Sequence, residues 1–362
     1  MFPSPSFLMI GIMKEALALL INDIHVDRDN IAEFNKNWDE ALTVCQREGI
    51  TDIVVGGDVF TSRASQTLAT LLAVRHAFDR AVLKGIYVTI AEGNHDLVNQ
   101  EDIEGYNHLW KGLEGIEVID SHKYLYWSGC DFALLVMSYF PEKGSFLDRL
   151  ERAVSNTIID LGPEVDSEAK IILYVHEGIH GALGDYEIDG ELPQEPFKEF
   201  KAVLCGHYHN RTKIKGTNIR YIGSSRQHNF GEDEEKGYTI LYSDGSTSFV
   251  KNEVNTRYIT CEVDASDIDN LENYFSDHDL SNYKTKVKVR CNEKQAKTFD
   301  KQKLIDLGFN KVEMIAESKV SKDIASVGID EKYDKQGIKK EYLSFCEEQD
   351  IDSELGIKYL EA

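Results

Sequence analysis

Histidines, aspartates and one asparagine recur in short motifs directly behind apolar runs. In KAVLCGHYHN, residues 201–210, the apolar run stops at Gly206, and His207 and His209 follow one residue apart. Because alternate side chains of an extended segment point the same way, both imidazoles can reach one point. Four other runs end in the same manner. Across the five runs the candidate residues are Asp23, His25, Asp58, Asn94, His95, Asp96, His176, His207 and His209.

This combination of donors is typical of sites for divalent metal ions. Imidazole, carboxylate and amide oxygen suit ions such as Mn²⁺, Fe²⁺ or Zn²⁺. The donors are too many for one tetrahedral zinc ion and suit two ions that share a bridging carboxylate. Two ions roughly 3.5–4 Å apart hold both oxygens of an in-line phosphoryl displacement and lower the pKa of water. With two aspartates against two dications the site stays net positive and attracts a phosphate ester.

The elements that must position these residues alternate between strands and helices. Each apolar strand carries its polar residues just past its C-terminal end, where open α/β sheets bind ligands. Helical periodicity predicts a helix over 30–49 that ends at Gly49. A second helix is predicted over 65–84, with Ser65 as its N-cap and Gly85 behind it. The alternation predicts a layered α/β core.

The sequence pattern changes at Arg257. Strand-like and helix-like segments then follow each other closely and predict a second, small α/β unit. The tail predicts two short amphipathic helices, with Ile338, Tyr342 and Phe345 on one face. The segments that make up the small unit are a strand at 257–264, a helix at 267–275, a strand at 283–291, a helix at 299–309 and a closing segment at 311–320.

Composition and length are those of a folded protein with room for two domains. The chain has 362 residues, of which 42% are hydrophobic, and this argues against disorder. No apolar run is long enough to span a membrane, and the start lacks the basic region of a secretory signal. The six cysteines are scattered without a C-x-x-C pair, which is typical of reduced thiols in the cytoplasm.

The net charge of −23 bears on the partners of the protein. A protein that grips DNA by itself usually carries a basic face. Divided at Cys261, both parts of the chain are net acidic. We therefore expect bound cations or a basic partner to offset the repulsion of any polyanionic substrate.

The motifs, taken together and in order, resemble those of the calcineurin-like metallophosphoesterases. They are D-x-H at 23–25, GD at 57–58, GNHD at 93–96, the lone His176 and GHxH at 206–209. The resemblance implies a layered α/β/β/α sandwich. It implies that one metal is held by Asp23, His25, Asp58 and His209. It implies that a second is held by Asp58, Asn94, His176 and His207, with Asp58 as the bridge.

The same resemblance assigns a different role to the remaining two residues. It places His95 over the scissile phosphate, where it would stabilise or protonate the leaving oxygen without binding a metal. Asp96 would orient the His95 ring. Both are therefore predicted to be catalytic rather than metal-binding.

The stretch YIGSSRQHNFGEDEEKGYTIL, residues 221–241, resembles the segment that follows GHxH in SbcD-type DNA repair nucleases. The compact size and short tail of the chain resemble the phage versions of that group. GDVFTSRAS resembles another loop of that group. This chain has Thr61 in that loop, so any contact that an acidic or histidine residue makes at this point in the relatives is in doubt here. This resemblance implies a nuclease domain over 1–256, a capping domain over 257–320 and a partner-docking helical tail over 321–362.

The SbcD-type resemblance also implies the partners and the setting. The expected partners are DNA, an SbcC-type ATPase with a coiled coil, and a second copy of the chain. The expected cofactors are two divalent ions, with Mn²⁺ first and Mg²⁺, Fe²⁺ or Zn²⁺ as alternatives. The expected location is the cytoplasm of a bacterial or phage-infected cell, with no membrane association.

Two other functions stay open. The same site would serve a stand-alone phosphoesterase acting on a nucleotide or phosphoprotein, although such an enzyme needs neither a capping unit nor docking helices. The second open function is that of a non-catalytic assembly subunit. The complete donor set argues against it, because a site that no longer works should have lost some of its residues. The tail helices have an alternative of their own, which is to pack on the rest of the chain.

Several polar residues outside the motifs are predicted to be ordinary. The acidic run 232–235 is expected to form a solvated loop, and His180 is expected to be structural. The histidines expected in solvated positions are His76, His108, His122, His228 and His278.

Overall fold

The computed structural model describes residues 14–99, 102–140, 143–184, 190–265, 268, 281–316, 343 and 346. The strands are β1 Ala16–Ile21, β2 Asp52–Gly56, β3 Tyr87–Ala91, β4 Ile116–Ile119, β5 His122–Leu125, β6 Ala133–Met137, β7 Ile171–Val175, β8 Ala202–Cys205, β9 Thr212–Lys213, β10 Ile219–Tyr221, β11 Gly237–Tyr242, β12 Thr247–Lys251, β13 Arg257–Asp264, β14 Tyr283–Cys291 and β15 Lys311–Ala316. The α-helices are α1 Ile31–Glu48, α2 Leu68–Leu83, α3 Lys143–Leu161, α4 Glu293–Thr298 and α5 Lys301–Asp306.

Two mixed sheets of six strands form the larger part of the protein. The first has the order β12-β11-β1-β2-β3-β4, and the second has the order β5-β6-β7-β8-β10-β9. In the first sheet β1 to β4 run parallel, and in the second β6, β7, β8 and β10 run parallel. Parallel strands present their carboxyl ends at one edge, so the polar residues after five of these strands share that edge.

The sheets stack face to face with helices outside them. Along β1, Leu19 and Ile21 pack under α1 and α2, whereas Ala18 and Leu20 pack against the second sheet. Such alternation is expected of strands that are buried on both faces. Because β6 and β7 also alternate between the inter-sheet core and the α3 side, the layers run α/β/β/α. The predicted fold class is confirmed.

The first two helices follow their predicted spans with one difference. Gly49 ends α1 in the left-handed region at φ 74°, and its N–H donates to Cys45 O. The second helix begins at Leu68 with Thr67 as the N-cap, whose hydroxyl accepts from Thr70 N. The prediction of Ser65 as the N-cap was therefore wrong. Both residues suit an N-cap, and composition alone did not separate them.

A third sheet, with the order β13-β14-β15, runs parallel throughout. Its core face packs Val287 and Val289 against Leu304 and Phe309. The helix α4 was not predicted, and it begins at an Asn292 capping box. The helix predicted at 267–275 lies outside the described residues, apart from Ile268. The predicted tail helices also lie outside them, apart from Leu343 and Cys346.

Two further findings concern membrane-spanning helices and the cysteines. No helix in the described ranges is both long and apolar enough to cross a membrane. All six cysteines are free thiols, as their scattered spacing predicted.

Candidate metal centre

The loops that follow β1 and β2 are tied together by their backbones. Asp23 N donates to Gly57 O at 3.1 Å, and Ile24 N and His25 N both donate to Asp58 O at 2.9 and 3.0 Å. These bonds continue the parallel pairing of β1 and β2 beyond the strands. They place the first two motifs side by side through backbone bonds alone.

Backbone strain is concentrated in these loops. A positive φ is uncommon for a residue with a Cβ, and it persists only where the surroundings impose it. Among the residues that the structure describes, four non-glycine residues adopt it, and all four are predicted ligands. They are Asp23 at 50°, His25 at 49°, Asp58 at 55° and His207 at 86°.

Two glycines let these loops approach each other closely. A Cβ on Gly93 would lie 2.3 Å from both the backbone nitrogen and Oδ1 of Asp58. A Cβ on Gly57, where φ is 100°, would lie 2.6 Å from Nδ1 of His176. The glycines of the GD and GNHD motifs are therefore required by contact with the ligands and not only by turn geometry.

One group of donors surrounds a point between the two sheets. Nε2 of His25 and Nε2 of His209 lie 3.0 Å apart, and Asp23 Oδ1 lies 3.9 and 3.8 Å from them. Two donors each about 2.1 Å from a tetrahedral ion would be about 3.4 Å apart. Asp23, His25 and His209 thus have the spacing of ligands to one ion.

A second group adjoins the first through the two carboxylates. Asp58 Oδ2 lies 3.6 Å from His25 Nε2 and 3.2 Å from His176 Nε2. Asp23 Oδ1 is 3.8 Å from His176 Nε2. Asp58 Oδ2 therefore lies between the two groups, as a bridging carboxylate must, and Asp23 reaches both as well.

The histidine rings are held so that one nitrogen of each is left for a ligand. Nδ1 of His25 lies 3.2 Å from Phe60 O, and Nδ1 of His176 lies 2.8 Å from Gly56 O. A carbonyl only accepts, so in both rings Nδ1 carries the proton and Nε2 keeps its lone pair. A metal ligand needs this tautomer, fixed by such an outer contact.

The ionisable groups buried at the site favour the binding of a cation. Burial by itself would raise the pKa of Asp58, but His176 and His25 hold it below its ordinary value. Burial would likewise lower the pKa of His176, but Asp58 and Asp23 raise it to about 10. The two buried carboxylates thus favour a positive charge beside Nε2 of His176. Nε2 of His176 is buried and makes no hydrogen bond, which fits an atom that a divalent ion would satisfy.

His207 and Asn94 complete the predicted donor set. His207 Nδ1 lies 3.2 Å from Asn94 Oδ1, and the backbone N–H of His207 donates to both oxygens of Asp23. Burial, together with neighbouring His176, lowers the pKa of His207 to about 4. The ring is therefore neutral near pH 7, the form that binds metal. The residues present fit two divalent ions.

His95 lies at the same edge without joining either donor group. Its backbone N–H donates to Asp58 Oδ1 at 2.7 Å, and its Nδ1 lies 2.7 Å from Thr61 O. Since the carbonyl accepts, Nδ1 carries the proton, and Nε2 is the atom left to exchange a proton in the cleft. The contact at position 61 is thus made by a backbone oxygen and does not depend on the threonine side chain.

The predicted role of Asp96 in orienting His95 was wrong. Asp96 Oδ1 accepts from Phe60 N at 3.0 Å, and Asp96 Oδ2 accepts from Gly93 N at 2.8 Å. Burial, with Glu92 and Asp58 nearby, raises the pKa of this carboxyl well above its ordinary value. Asp96 therefore holds the loops that carry Asp58 and His95 and does not touch the His95 ring.

Glu232 is a functional residue that sequence reasoning missed. Its Oε1 lies 2.8 Å from Nδ1 of His209, and its Oε2 accepts from His228 N at 3.1 Å. Lys236, which is fully buried, lies 3.5 Å from the same carboxylate. The side chain of Glu232 is 7% exposed, so the expected solvated loop was wrong at this position. The four residues 232–235 are all acidic, so the sequence pattern could not show which of these side chains points inward.

We expect Glu232→Gln to weaken the binding of one metal ion about 10- to 100-fold, the usual cost of losing an outer partner of a histidine ligand. The amide would leave His209 Nδ1 without its charged acceptor. Calorimetric competition with a chelator would measure both affinities. Glu235→Gln is the matched control, because Glu235 is exposed and pairs with Lys251 at 3.1 Å. An equal loss in both variants would contradict the assignment.

Two other histidines were wrongly expected in solvated positions. His228 Nε2 lies 2.9 Å from Asp23 O, and its ring makes edge contacts with His25 and His209, with centroids 5.0 Å apart in each case. His108 lies between Glu92 and Asp120, at 3.0 and 2.8 Å. His278 lies outside the described residues.

Two of the metal donors, His25 and His209, line a cleft of about 410 Å³ together with His95. The lining also includes Asp27 and Asp29, Tyr258 of β13 and Lys284 of β14. Arg226 also lines the cleft, and its Nη2 donates to His25 O at 3.0 Å. The third sheet therefore contributes side chains directly to the cleft that contains the donors.

Comparison with known proteins supports the same family. The model of the calcineurin-like phosphoesterase family matches residues 17–211, more than half of the chain. A protein of Invertebrate iridescent virus 3, named as a phosphoesterase, is 22% identical over 235 residues, 63% of this chain and 62% of that protein. The SbcD subunit of the SbcCD nuclease of Staphylococcus epidermidis is 28% identical over 216 residues, 52% of this chain and 54% of that protein.

Similarity to solved structures is lower. The crystal structure of a dimetal phosphatase from Danio rerio aligns with a TM-score of 0.38 and 11% identity, over 62% of this chain and 91% of that one. The chain thus spans less than two thirds of the length of the two curated relatives described above.

Proposed function

Because the chain belongs to the calcineurin-like phosphoesterase family, we propose that it is a two-metal phosphodiesterase that cuts DNA as the nuclease subunit beside an SbcC-type ATPase. The observation that carries the proposal is the pair of donor groups joined through Asp23 and Asp58. The first of these groups lines a cleft through His25 and His209. Two adjoining cation sites are the arrangement that phosphoester hydrolysis uses.

The residues of the site have two proposed roles, which are to bind the metal ions and to donate a proton. Asp23, His25, Asp58 and His209 would hold one ion, and the second would be held by Asp58, Asn94, His176 and His207. When bound, two such ions polarise the phosphate and generate a nucleophile from water near neutral pH. His95, fixed through Thr61 O, would protonate the leaving oxygen from Nε2. Mn²⁺ is the ion that we propose for a site of mixed nitrogen and oxygen donors.

A polynucleotide substrate is supported by the form of the cleft and by one relative. The cleft is lined by residues that follow β1 and β8 and, from the third sheet, by Tyr258 and Lys284, so groups beyond the metal donors are available to a longer substrate. The bacterial relative is named as a nuclease subunit. The net charge of −23 means that affinity for DNA must come largely from the bound ions, from local cations or from the proposed ATPase.

Incubation of end-labelled single-stranded and duplex DNA with the Mn²⁺-loaded protein, with and without the ATPase and ATP, tests this function. We expect metal-dependent cleavage that a chelator abolishes. Bis(p-nitrophenyl) phosphate and p-nitrophenyl phosphate should be assayed in parallel, because the first is a diester and the second a monoester. Hydrolysis of the monoester alone would overturn the nuclease proposal.

A stand-alone phosphoesterase is the second candidate. The viral relative is named only as a phosphoesterase, and the metal donors would serve a nucleotide or a phosphoprotein equally well. The third sheet at the cleft favours the first candidate, because a small monoester does not need an additional wall. Cleavage of nucleotides or phosphopeptides but not of DNA would establish the second candidate.

The proposed ATPase is the partner that the tail would contact, and a second copy of the chain is a separate proposed partner. The tail lies outside the described residues except for Leu343 and Cys346, which are helical. Cys346 is buried, so packing of the tail on the rest of the chain stays open as the alternative.

Deletion of residues 334–362 separates these two roles. If the tail docks on the ATPase, the truncated protein should keep its Tm within about 2 °C and still hydrolyse bis(p-nitrophenyl) phosphate. It should lose binding to the ATPase and ATP-dependent cutting of duplex ends. A clear fall in Tm together with lost activity on the small diester would show that the tail belongs to the core.

A further inference from the structure

The central strand of the third sheet presents cations on its outer face. Along β14 the side chains of Thr285, Val287 and Val289 are buried, and the two valines contact the core of the small unit. The alternate residues point the other way, because side chains of a strand alternate between faces. The residues on this outer face are Lys284, Lys286, Lys288 and Arg290.

One of these cations differs from the others in its partners. Lys286 pairs with Glu313, whereas Lys288 and Arg290 both pair with Glu262. Lys284 forms no ion pair within the described ranges, and it is the one that lines the cleft beside His95 and His209. In an acidic protein, an unpaired ammonium group at the proposed active-site cleft lacks a structural counter-charge.

Tyr258 fixes the position of this ammonium group. Lys284 Nζ donates to the Tyr258 hydroxyl at 3.1 Å and lies 5.0 Å from the centre of its ring, within reach of a cation–π interaction. Tyr258 is itself held, because its N–H donates to Gln227 Oε1 at 2.8 Å and its carbonyl accepts from Gln227 Nε2 at 2.9 Å. The ring also packs edge-on against Phe230.

Gln227 connects this wall to the metal donors. Its Nε2 also donates to the carbonyl of Glu232 at 2.8 Å, the residue that contacts His209. Tyr258 and the donor loop therefore share a buried amide, 2% exposed. Hydrogen bonds through Gln227 therefore connect Tyr258, the partner of Lys284, to the loop that carries Glu232.

We propose that Lys284, positioned by Tyr258, binds the phosphate adjacent to the scissile one, so that the cleft recognises two consecutive phosphates of a nucleic-acid strand. The inference rests on the proposed function and extends it to a specific subsite. A cleft of about 410 Å³ lies within the roughly 300–1,000 Å³ of ligand sites. Asp27 and Asp29 also line the cleft and would repel phosphate, which favours binding at Lys284.

Competitive inhibition of bis(p-nitrophenyl) phosphate hydrolysis tests the subsite directly. Thymidine 3′,5′-bisphosphate and thymidine 5′-monophosphate should be compared on the full-length, Mn²⁺-loaded protein. The second phosphate should lower the inhibition constant roughly two- to fivefold in the wild type, the effect of one partly exposed charge contact. In Lys284→Ala the ratio of the two inhibition constants should fall to about one.

Lys288→Ala is the matched control, because Lys288 lies on the same face of β14 but pairs with Glu262 at 3.6 Å. It should keep the wild-type ratio. An equal ratio for the wild type and Lys284→Ala would overturn the subsite, as would equal inhibition by the two nucleotides in the wild type.

A binding measurement separates the subsite from the nuclease proposal. The measurement is fluorescence anisotropy of the Mn²⁺-loaded protein with a labelled phosphorothioate single strand that resists cutting, at increasing salt. Lys284→Ala should lower the slope of log K against log salt by about 0.7. An unchanged slope would count against the subsite. A wild type that neither binds this strand nor cuts the unmodified one would refute the nuclease proposal, and the ratio of inhibition constants would still decide the subsite.

Discussion

Asp58→Asn is expected to remove most bound metal and to lower phosphodiester hydrolysis by about 10³-fold, since metal ions supply several kcal/mol of stabilisation to the transition state. Asp58 Oδ2 lies within 3.6 Å of His25 Nε2 and 3.2 Å of His176 Nε2, so its charge serves both donor groups. Asparagine keeps an oxygen to accept from His95 N and tolerates positive φ. The loss should therefore reflect charge and not misfolding.

Metal content by mass spectrometry, with turnover of bis(p-nitrophenyl) phosphate, measures this effect. Asp131→Asn provides the same change at an exposed residue, which pairs with Lys201 at 3.1 Å, and it should bind two ions. His209→Ala provides the comparison with a ligand of one group, and it should lose about one ion. Two bound ions in Asp58→Asn would exclude the bridging role.

The residues that sequence reasoning placed correctly are those whose position follows from strand direction. Each motif follows an apolar run that had to be a buried strand, and parallel strands bring their ends to one edge. For this reason Asp23, Asp58 and His176 were expected together and are found together. The alternation of strands and helices also predicted a layered core, and β1 is buried on both faces as such a core requires.

The residues that were missed share a different property. Glu232 and His228 act through loops whose path depends on contacts far away in the chain, such as His228 with Asp23 O. A run of acids has no periodicity to distinguish the inward-facing member. Lys284 could be assigned to a strand from the sequence. Its place at the cleft depends on how the third sheet packs beside the donor loops, and sequence patterns do not contain such a contact between units.

The error over Asp96 has a clear physical cause. A carboxylate next to a catalytic histidine suggests an orienting role, but adjacent side chains on a tight loop often point apart. Here the oxygens of Asp96 accept from two backbone N–H groups, and the ring of His95 turns to Thr61 O. The backbone bonds of the loop decided the outcome, and these do not appear in the spacing of side chains.

His95→Asn is expected to keep both bound ions and to lower turnover by a factor of about 10²–10⁴, which is the usual contribution of a general acid or base. His95 belongs to neither donor group, and its side chain is held by Thr61 O. The asparagine amide can still donate toward that carbonyl but cannot exchange a proton at the former Nε2. Metal content and the Tm should therefore remain close to those of the wild type.

Asp96→Asn gives the contrasting result. The amide nitrogen would face one of the two N–H donors that the carboxyl now satisfies, at a cost of roughly 1–3 kcal/mol for the unsatisfied group. We expect a lower Tm and a smaller loss of turnover than in His95→Asn. The two variants thus separate a group that transfers a proton from one that holds its loop. If metal content fell together with activity in His95→Asn, His95 would have to be counted among the ligands.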